Sequence, residues 1–166
     1  MLANNLDGKV ITCLPKRLAC KSLMNTLSSQ NKAQNKAQNT NLTFGLRLGH
    51  NYRLGSSRPS VLITTTAYLL RLLCNHPQYF DDVSSVIVDE VHERGVDCDL
   101  ICTFLRRLLQ HNKRIRVVLM SATMDKESYE KYFTTEFSNA KTIEVKGRQY
   151  PVKLYYAEVR REYRRT

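Results

Sequence analysis

Long hydrophobic runs are absent from this sequence of 166 residues. No apolar stretch approaches the roughly 18 residues that a membrane-spanning helix needs, and the N-terminal region lacks the uninterrupted apolar stretch of a signal peptide. We therefore expect no membrane segment. Hydrophobic residues make up 42% of the chain and charged residues 25%, which is ordinary for a globular domain. The length suffices for one domain with a buried core.

Closely paired cysteines are also missing. The five cysteines form no Cys-x-x-Cys pair, and an odd number without a signal peptide predicts reduced thiols in an intracellular protein, cytoplasmic or nuclear. Cys98 and Cys102 are four residues apart, with His92 and His111 not far away, so a zinc site is an alternative. The lack of a Cys-x-x-Cys pair argues against that alternative.

Acidic residues are scarce towards both ends of the chain. Residues 1–60 carry nine Lys or Arg against one acid, and residues 141–166 carry eight against three. Residues 61–140 carry nine basic and eleven acidic residues, and the net charge is +11. This distribution fits a polyanion-binding surface beside a metal-binding carboxylate site. A solvated, merely basic surface is the alternative.

Apolar segments that suit strands alternate with segments of helical spacing. The predicted strands are residues 9–13, 44–48, 61–64, 86–88, 116–120, 142–145 and 152–156, and the predicted helices are 18–27, 66–74, 100–109 and 126–133. Leu18 and Leu100 are expected to face the core, and Asp97 is expected to cap the third helix. The alternation predicts an α/β fold, a mainly parallel sheet with helices on both faces. The repeated Asn-Lys-Ala-Gln within residues 28–41 predicts a disordered insertion.

Two of the predicted strands end in side chains that can carry chemistry, as expected at the carboxyl edge of a parallel sheet. The strand at 86–88 ends in Asp89 and Glu90. The first acid suits Mg²⁺, which prefers oxygen ligands, and the second can orient the water that attacks a γ-phosphate. The strand at 116–120 ends in Ser121-Ala122-Thr123, 32 residues after Asp89.

Taken together, Asp-Glu-Val-His-Glu-Arg at 89–94 and Ser-Ala-Thr at 121–123 resemble motifs II and III of the DEAH/DExH-box helicases of superfamily 2. The resemblance covers nearly the whole chain. Pro-Lys-Arg at 15–17 resembles motif Ia, residues 44–48 a following strand, residues 65–71 motif Ib, and Gly-Arg-Gln-Tyr-Pro-Val at 147–152 the segment that closes the first lobe.

This resemblance implies a RecA-like lobe from an enzyme that couples ATP hydrolysis to unwinding or remodelling of RNA. It implies that Asp89 and Glu90 bind ATP with Mg²⁺, that Glu90 activates water, and that His92 links the nucleotide to Ser121 and Thr123. The residues implied to face single-stranded RNA are Lys16, Arg17, Thr65, Thr66 and Arg71. Contacts of this kind go to phosphates and give register without base specificity.

Several positions depart from the pattern of the family. Cys13-Leu14 replaces Thr-Gln before motif Ia, Lys16 replaces an Arg that can bind phosphate with two parallel bonds, and Ala67 replaces a Gly. The sequence also contains no Gly-x-x-x-x-Gly-Lys-[Ser/Thr], the loop that holds a triphosphate. We therefore expect an incomplete first lobe over residues 1–157, a basic tail at 158–166 leading to a missing second lobe, and no ATP hydrolysis by this chain alone.

Two other functions remain open from the sequence. One is a non-catalytic remnant of such a lobe that binds RNA or a protein partner. The other is a different P-loop ATPase that shares only the Asp-Glu strand end, and the motifs at 121–123 and 147–152 argue against it. No residue separates RNA from DNA or hybrid substrates.

Overall fold

The computed structural model describes residues 8–38, 42–123, 126–134, 137, 140–145 and 151–154. The strands within these residues are β1 (Lys9–Leu14), β2 (Phe44–Arg47), β3 (Arg53–Gly55), β4 (Val61–Thr65), β5 (Val83–Val88) and β6 (Arg116–Leu119). The helices are α1 (Arg17–Gln38), α2 (Thr66–Asn75), α3 (Val96–His111) and α4 (Lys126–Thr134). Two short 3₁₀ turns lie at Pro77–Phe80 and Val91–Glu93. None of the helices described is both long and apolar enough to cross a membrane.

The strands form one sheet in the order β3-β2-β4-β1-β5-β6. All neighbours pair in parallel except β3, which pairs antiparallel with β2. The central strand β1 places Cys13 between Thr64 of β4 and Val88 of β5. The predicted α/β fold with a mainly parallel sheet is confirmed.

Helices cover both faces of the sheet. Neighbouring residues of a strand point to opposite faces, and here they enter separate cores. Leu62 of β4 packs in a core that also contains Leu69 of α2 and Ile101 of α3. Its neighbour Ile63 packs instead with Cys20 and Met24 of α1. The inner strands β2, β4, β1 and β5 are therefore mostly buried on both sides, which explains their apolar runs in the sequence, whereas the outer strands β3 and β6 are more exposed.

Helix α1 is longer than the sequence predicted. It continues to Gln38, so the disorder predicted for residues 28–41 is corrected as far as residue 38; residues 39–41 lie outside the described residues. Ala, Gln and Lys favour helices, and neither Gly nor Pro interrupts the segment. A hydrogen bond from Asn31 Nδ2 to the carbonyl of Leu42, 3.1 Å long, also connects this part of the helix to the chain that enters β2.

Other local predictions were wrong. Leu18 is 79% exposed, because the neighbouring Cys20 and the later Met24 define the buried side of α1, and Leu100 is also exposed. Helix α3 begins at Val96 with Gly95 as its N-cap and no side-chain cap, so Asp97 lies in the first turn, where its charge favours the helix dipole. Strand β3 was not predicted. Residues 142–145 and 152–154 form no strand, and residues 155–156 lie outside the described residues.

Candidate functional site

The predicted site residues follow four strands that end at the same edge of the sheet. Strands β1, β4, β5 and β6 are parallel, so their carboxyl ends lie together. Lys16 comes two residues after β1, Thr65 ends β4, Asp89 follows β5, and Ser121 comes two residues after β6. Residues far apart in the sequence are thereby brought to one edge.

The turn after β5 is held by its own backbone and by β1. The backbone N–H of Asp89 donates to the carbonyl of Cys13 (2.9 Å), and Asp89 Oδ1 accepts a 2.8 Å hydrogen bond from the backbone N–H of Glu90. Glu90 and Arg94 have φ values of 58° and 44°, in the left-handed region, where non-glycine residues carry roughly 1–2 kcal/mol of strain each. Strain of this size persists where surrounding contacts impose it, which is common at functional sites.

Val91, which is fully buried, anchors this turn to the fold. Its N–H donates to the carbonyl of Met120 at 3.1 Å, joining the turn to the end of β6. Its own carbonyl accepts a hydrogen bond from the Tyr129 hydroxyl (3.1 Å) and a long one from the Cys98 thiol (3.9 Å). Burial raises the pKa of Tyr129 to about 12, so this phenol stays protonated and able to donate at neutral pH.

His92 joins the turn after β5 to the loop after β6. Its Nδ1 lies 3.1 Å from Ser121 Oγ and 3.3 Å from Glu90 Oε2. All three side chains are partly buried or half-exposed. One imidazole nitrogen therefore contacts both the second acid of the Asp-Glu pair and the first hydroxyl of Ser-Ala-Thr. A movement of either loop would therefore be transmitted to the other through the contacts of this ring.

Lys16 makes an ion pair that the sequence did not predict. Its Nζ lies 2.7 Å from Glu93 Oε1, and hydrogen bonding to Glu93 raises the pKa of Lys16. Arg17, the first residue of α1, is exposed beside it. The loop after β1 and the turn after β5 are thus joined by opposite charges.

The remaining predicted residues differ in how close they lie to this edge. Thr65 is buried at the N-cap of α2, Thr66 is half-buried in its first turn, and Thr123 is exposed. Arg71 is exposed, about 7.5 Å further along α2 by helical rise, and its guanidinium carbon lies 5.2 Å from the centre of the Tyr68 ring. Lys16, Arg17, Thr65 and Thr66 therefore group at the edge, and Arg71 lies away from it.

Buried thiols lie beneath the site. Burial raises the pKa of Cys13 far above its usual value, so it remains a neutral thiol at neutral pH, and Cys98 and Cys102 share a hydrogen bond that lowers the pKa of the first and raises that of the second. Over the ranges that the structure describes, no three His, Cys, Asp or Glu side chains are grouped as metal ligands. His111 is exposed at the end of α3, where its Nδ1 lies 2.9 Å from the carbonyl of Arg107.

Sequence reasoning missed two residues that shape the site, Glu93 and Tyr129. Glu93 falls inside the Asp89–Arg94 motif, and its position three residues after Glu90, at the same edge as a basic loop, is a signal that predicts an ion pair. Tyr129 gives no comparable signal, because 38 residues separate it from the carbonyl it binds. In chemical terms the edge offers the carboxylates of Asp89, Glu90 and Glu93, an imidazole, hydroxyls and basic side chains, a set suited to a metal-bound phosphate ester beside a polyanion.

Comparison with known proteins identifies relatives of the chain. A model of the DEAD/DEAH box helicase family matches residues 1–132. The human ATP-dependent RNA helicase DHX29 is 33% identical over 149 residues, which are 90% of this chain and 10% of that protein. Human ATP-dependent RNA helicase DHX30 is 43% identical over 115 residues, 67% of this chain and 9% of that protein. The chain spans about a tenth of the length of these curated relatives.

A solved structure agrees with these sequence matches. The DEAH/RHA helicase HrpB of Escherichia coli superposes with a TM-score of 0.69 and 25% sequence identity. The match covers 89% of this chain and 18% of that one. The similarity in fold agrees with the mainly parallel sheet and its helices.

Proposed function

The chain belongs to the DEAD/DEAH box helicase family, and from this premise we propose that it is part of the first RecA-like lobe of an ATP-dependent RNA helicase. The observation that carries the proposal is the 3.1 Å contact between His92 Nδ1 and Ser121 Oγ. It connects the acidic turn, which is residues 89–94 after β5, to the Ser-Ala-Thr loop, which is residues 121–123 after β6. A helicase needs such a connection, because the state of the nucleotide must be passed to the surface that holds the nucleic acid.

The acidic turn fits a nucleotide with its magnesium ion. Mg²⁺ in phosphate-handling sites is bound through one or two carboxylates together with phosphate oxygens and water, and Asp89 and Glu90 supply carboxylates at the edge of the sheet. When bound, Mg²⁺ neutralises charge on the phosphates. We assign Asp89 to holding the ion and Glu90 to orienting water. His92 holds Glu90 and Ser121 in a fixed relation, and Thr123 follows in the same loop.

The sequence lacks the phosphate-binding loop that normally holds the triphosphate. The backbone amides and lysine of a Gly-x-x-x-x-Gly-Lys-[Ser/Thr] loop normally position it, and that motif is absent from these 166 residues. We therefore propose that this chain by itself does not hydrolyse ATP. The second candidate function is a non-catalytic lobe that only binds RNA or a protein partner, and the exposed basic side chains of Lys16 and Arg17 support it.

The basic loops at the same edge fit the phosphate backbone of single-stranded RNA. We assign backbone contacts to Lys16, Arg17, Thr65 and Thr66, with Arg71 as an outer contact from α2. Contacts to phosphates give little sequence preference and a steep dependence on salt. With one lobe present, we expect a dissociation constant no tighter than about micromolar. A second RecA-like lobe would complete the binding surface.

We also propose how far the lobe extends and where in the cell the protein is located. The match to the helicase family ends at residue 132. We propose that the lobe continues to residue 157 and that residues 158–166 form a basic tail. The five cysteines are free thiols in the structure, which supports an intracellular location, cytoplasmic or nuclear.

Fluorescence anisotropy with a short labelled oligouridylate tests the RNA assignment. We expect the Lys16→Ala/Arg17→Ala variant to bind more weakly and with a shallower dependence on salt. The matched control is Lys113→Ala/Arg114→Ala, which also removes two adjacent exposed basic residues, but before β6, at the opposite edge of the sheet. A chain that ends at Ala157 measures the contribution of the tail. Equal losses in the two double variants, or binding that depends only on the tail, would show that the assigned loops do not bind RNA.

A further inference from the structure

The ion pair between Lys16 and Glu93 involves a side chain that we assign to RNA binding. The Nζ of Lys16 and Oε1 of Glu93 are 2.7 Å apart, and the two side chains are 72% and 37% exposed. Nothing in the exposure of Lys16 prevents a phosphate from reaching it. A phosphate that approaches Lys16 nevertheless has to come close to the carboxylate of Glu93.

Glu93 is fixed to the acidic turn rather than free on a flexible loop. It ends the 3₁₀ turn Val91–Glu93, and its backbone N–H donates to the carbonyl of Glu90 at 3.0 Å. Glu90 itself has a left-handed backbone conformation and contacts His92. The position of the Glu93 carboxylate is therefore coupled to the conformation of the residues proposed to face the nucleotide.

We propose that Glu93 is an internal competitor of RNA, which holds Lys16 in an ion pair and must release it when Lys16 binds a phosphate. The proposal rests on the proposed function of Lys16 as an RNA contact. The competition is reciprocal: a phosphate on Lys16 weakens its hold on Glu93, and a rearrangement of the acidic turn that withdraws Glu93 raises the affinity for RNA. Glu93 thereby links the two loops by charge, in addition to the link through His92.

The expected effect is moderate because both partners are exposed. Ion pairs between exposed side chains are weak, and repulsion between a carboxylate and a phosphate a few ångströms apart in water is of similar size. Removing the charge of Glu93 should therefore tighten RNA binding about two- to fivefold. The gain should shrink as salt increases, because salt screens both interactions.

Neutralising any acid on a nucleic-acid-binding protein raises its affinity in general, so the test needs a control that matches the charge. Asp82→Asn provides one. Asp82 forms another Lys–carboxylate pair, with Lys9 at 3.5 Å, and it lies before β5, at the opposite edge of the sheet from Glu93. Each substitution breaks one ion pair at the surface and removes one negative charge, which raises the net charge by one.

The experiment measures binding of a labelled oligouridylate at low and higher salt to the wild type, Glu93→Gln, Asp82→Asn, Lys16→Ala and Lys16→Ala/Glu93→Gln. We expect Glu93→Gln to tighten binding clearly more than Asp82→Asn does, and to have no extra effect once Lys16 is absent. Equal gains for the two acid variants, or a gain that persists without Lys16, would overturn the competition while leaving the RNA assignment intact. If Lys16→Ala binds like the wild type, the RNA assignment of Lys16 fails and the inference fails with it. Thermal unfolding of each variant checks that the fold is retained.

Discussion

The imidazole of His92 and the hydroxyl of Ser121 are in hydrogen-bond contact, 3.1 Å apart, although 29 residues separate them in the sequence. The contact is possible because β5 and β6 are parallel neighbours, with Val88 beside Leu119, so the residues after both strands emerge at the same edge. The backbone contact between Val91 and Met120 supports the same arrangement.

Removing the hydroxyl of Ser121 should destabilise the protein. We expect Ser121→Ala to lower the free energy of unfolding by about 0.5–1.5 kcal/mol, because a partly buried hydrogen bond is lost. Ser29→Ala is the control: the Ser29 hydroxyl donates a hydrogen bond to the Asn25 carbonyl on the exposed side of α1, and the change in free energy on losing it should stay within about 0.5 kcal/mol. Urea denaturation measures both, and similar losses would mean that the His92 contact contributes nothing specific.

The chain should release no phosphate from ATP above background, with or without single-stranded RNA. Without the amides and lysine of a phosphate-binding loop, the triphosphate is not positioned for the water that Glu90 is proposed to orient. A phosphate-release assay on the wild type and Glu90→Gln checks this. RNA-stimulated turnover that disappears in Glu90→Gln would refute the expectation, because it would locate the activity in this site rather than in a contaminant.

Arg47 should be essential for the pairing of β2 and β3. Arg47 is buried, and its guanidinium donates hydrogen bonds to the backbone carbonyls of Leu46, Leu54 and Ser56. The single ammonium group of a lysine cannot donate to all three carbonyls in the way the planar guanidinium does, so Arg47→Lys should lower the free energy of unfolding by about 2–3 kcal/mol. Arg53, its exposed partner across the antiparallel pair, provides the control, and Arg53→Lys should be close to neutral. Similar denaturation midpoints for both variants would contradict the assigned role.

The second half of α1 should be helical in solution. Proline is unfavourable by about 3 kcal/mol inside a helix, so Ala33→Pro should unwind the residues around it. We expect a smaller helical signal in circular dichroism and the loss of helical Cα chemical shifts over residues 28–38. Lys32→Ala, at an exposed neighbouring position, should leave both unchanged. If the proline variant and the wild type gave the same spectra, the segment would be disordered, as the sequence first suggested.

Tyr129 should make the stability depend on pH in the alkaline range. Its pKa is raised by burial to about 12 in the folded chain, against about 10 when unfolded. Because the folded state prefers the protonated phenol, this contribution is fully present below about pH 10 and is lost as the pH rises towards about 12. The stability difference between the wild type and Tyr129→Phe should therefore shrink with rising pH. A difference that stays constant from about pH 8 to 11 would speak against this.

Much of the fold and part of the site followed from local patterns. The apolar run of β5 and its Asp-Glu end, and the run of β6 and its Ser-Ala-Thr end, are each visible within a few residues. One rule then brings them together, because parallel strands end at the same edge. Local patterns gave wrong predictions where burial was decided by contacts between segments that are far apart in the sequence. Leu18 has the spacing of a core residue, yet the packing of α1 on β2 and β4 selects Cys20 and Met24.

The sequence by itself determined which strands end in acidic or hydroxyl side chains, because an apolar strand and the polar residues at its end are local properties of the chain. Only the tertiary structure decided which of those residues touch. The pairing of Lys16 with Glu93, the bond from Tyr129 to Val91 and the burial of Arg47 among carbonyls each join separate segments. Such contacts depend on strand order and register, which are set by the packing of the whole sheet between its helices and not by any single stretch of sequence.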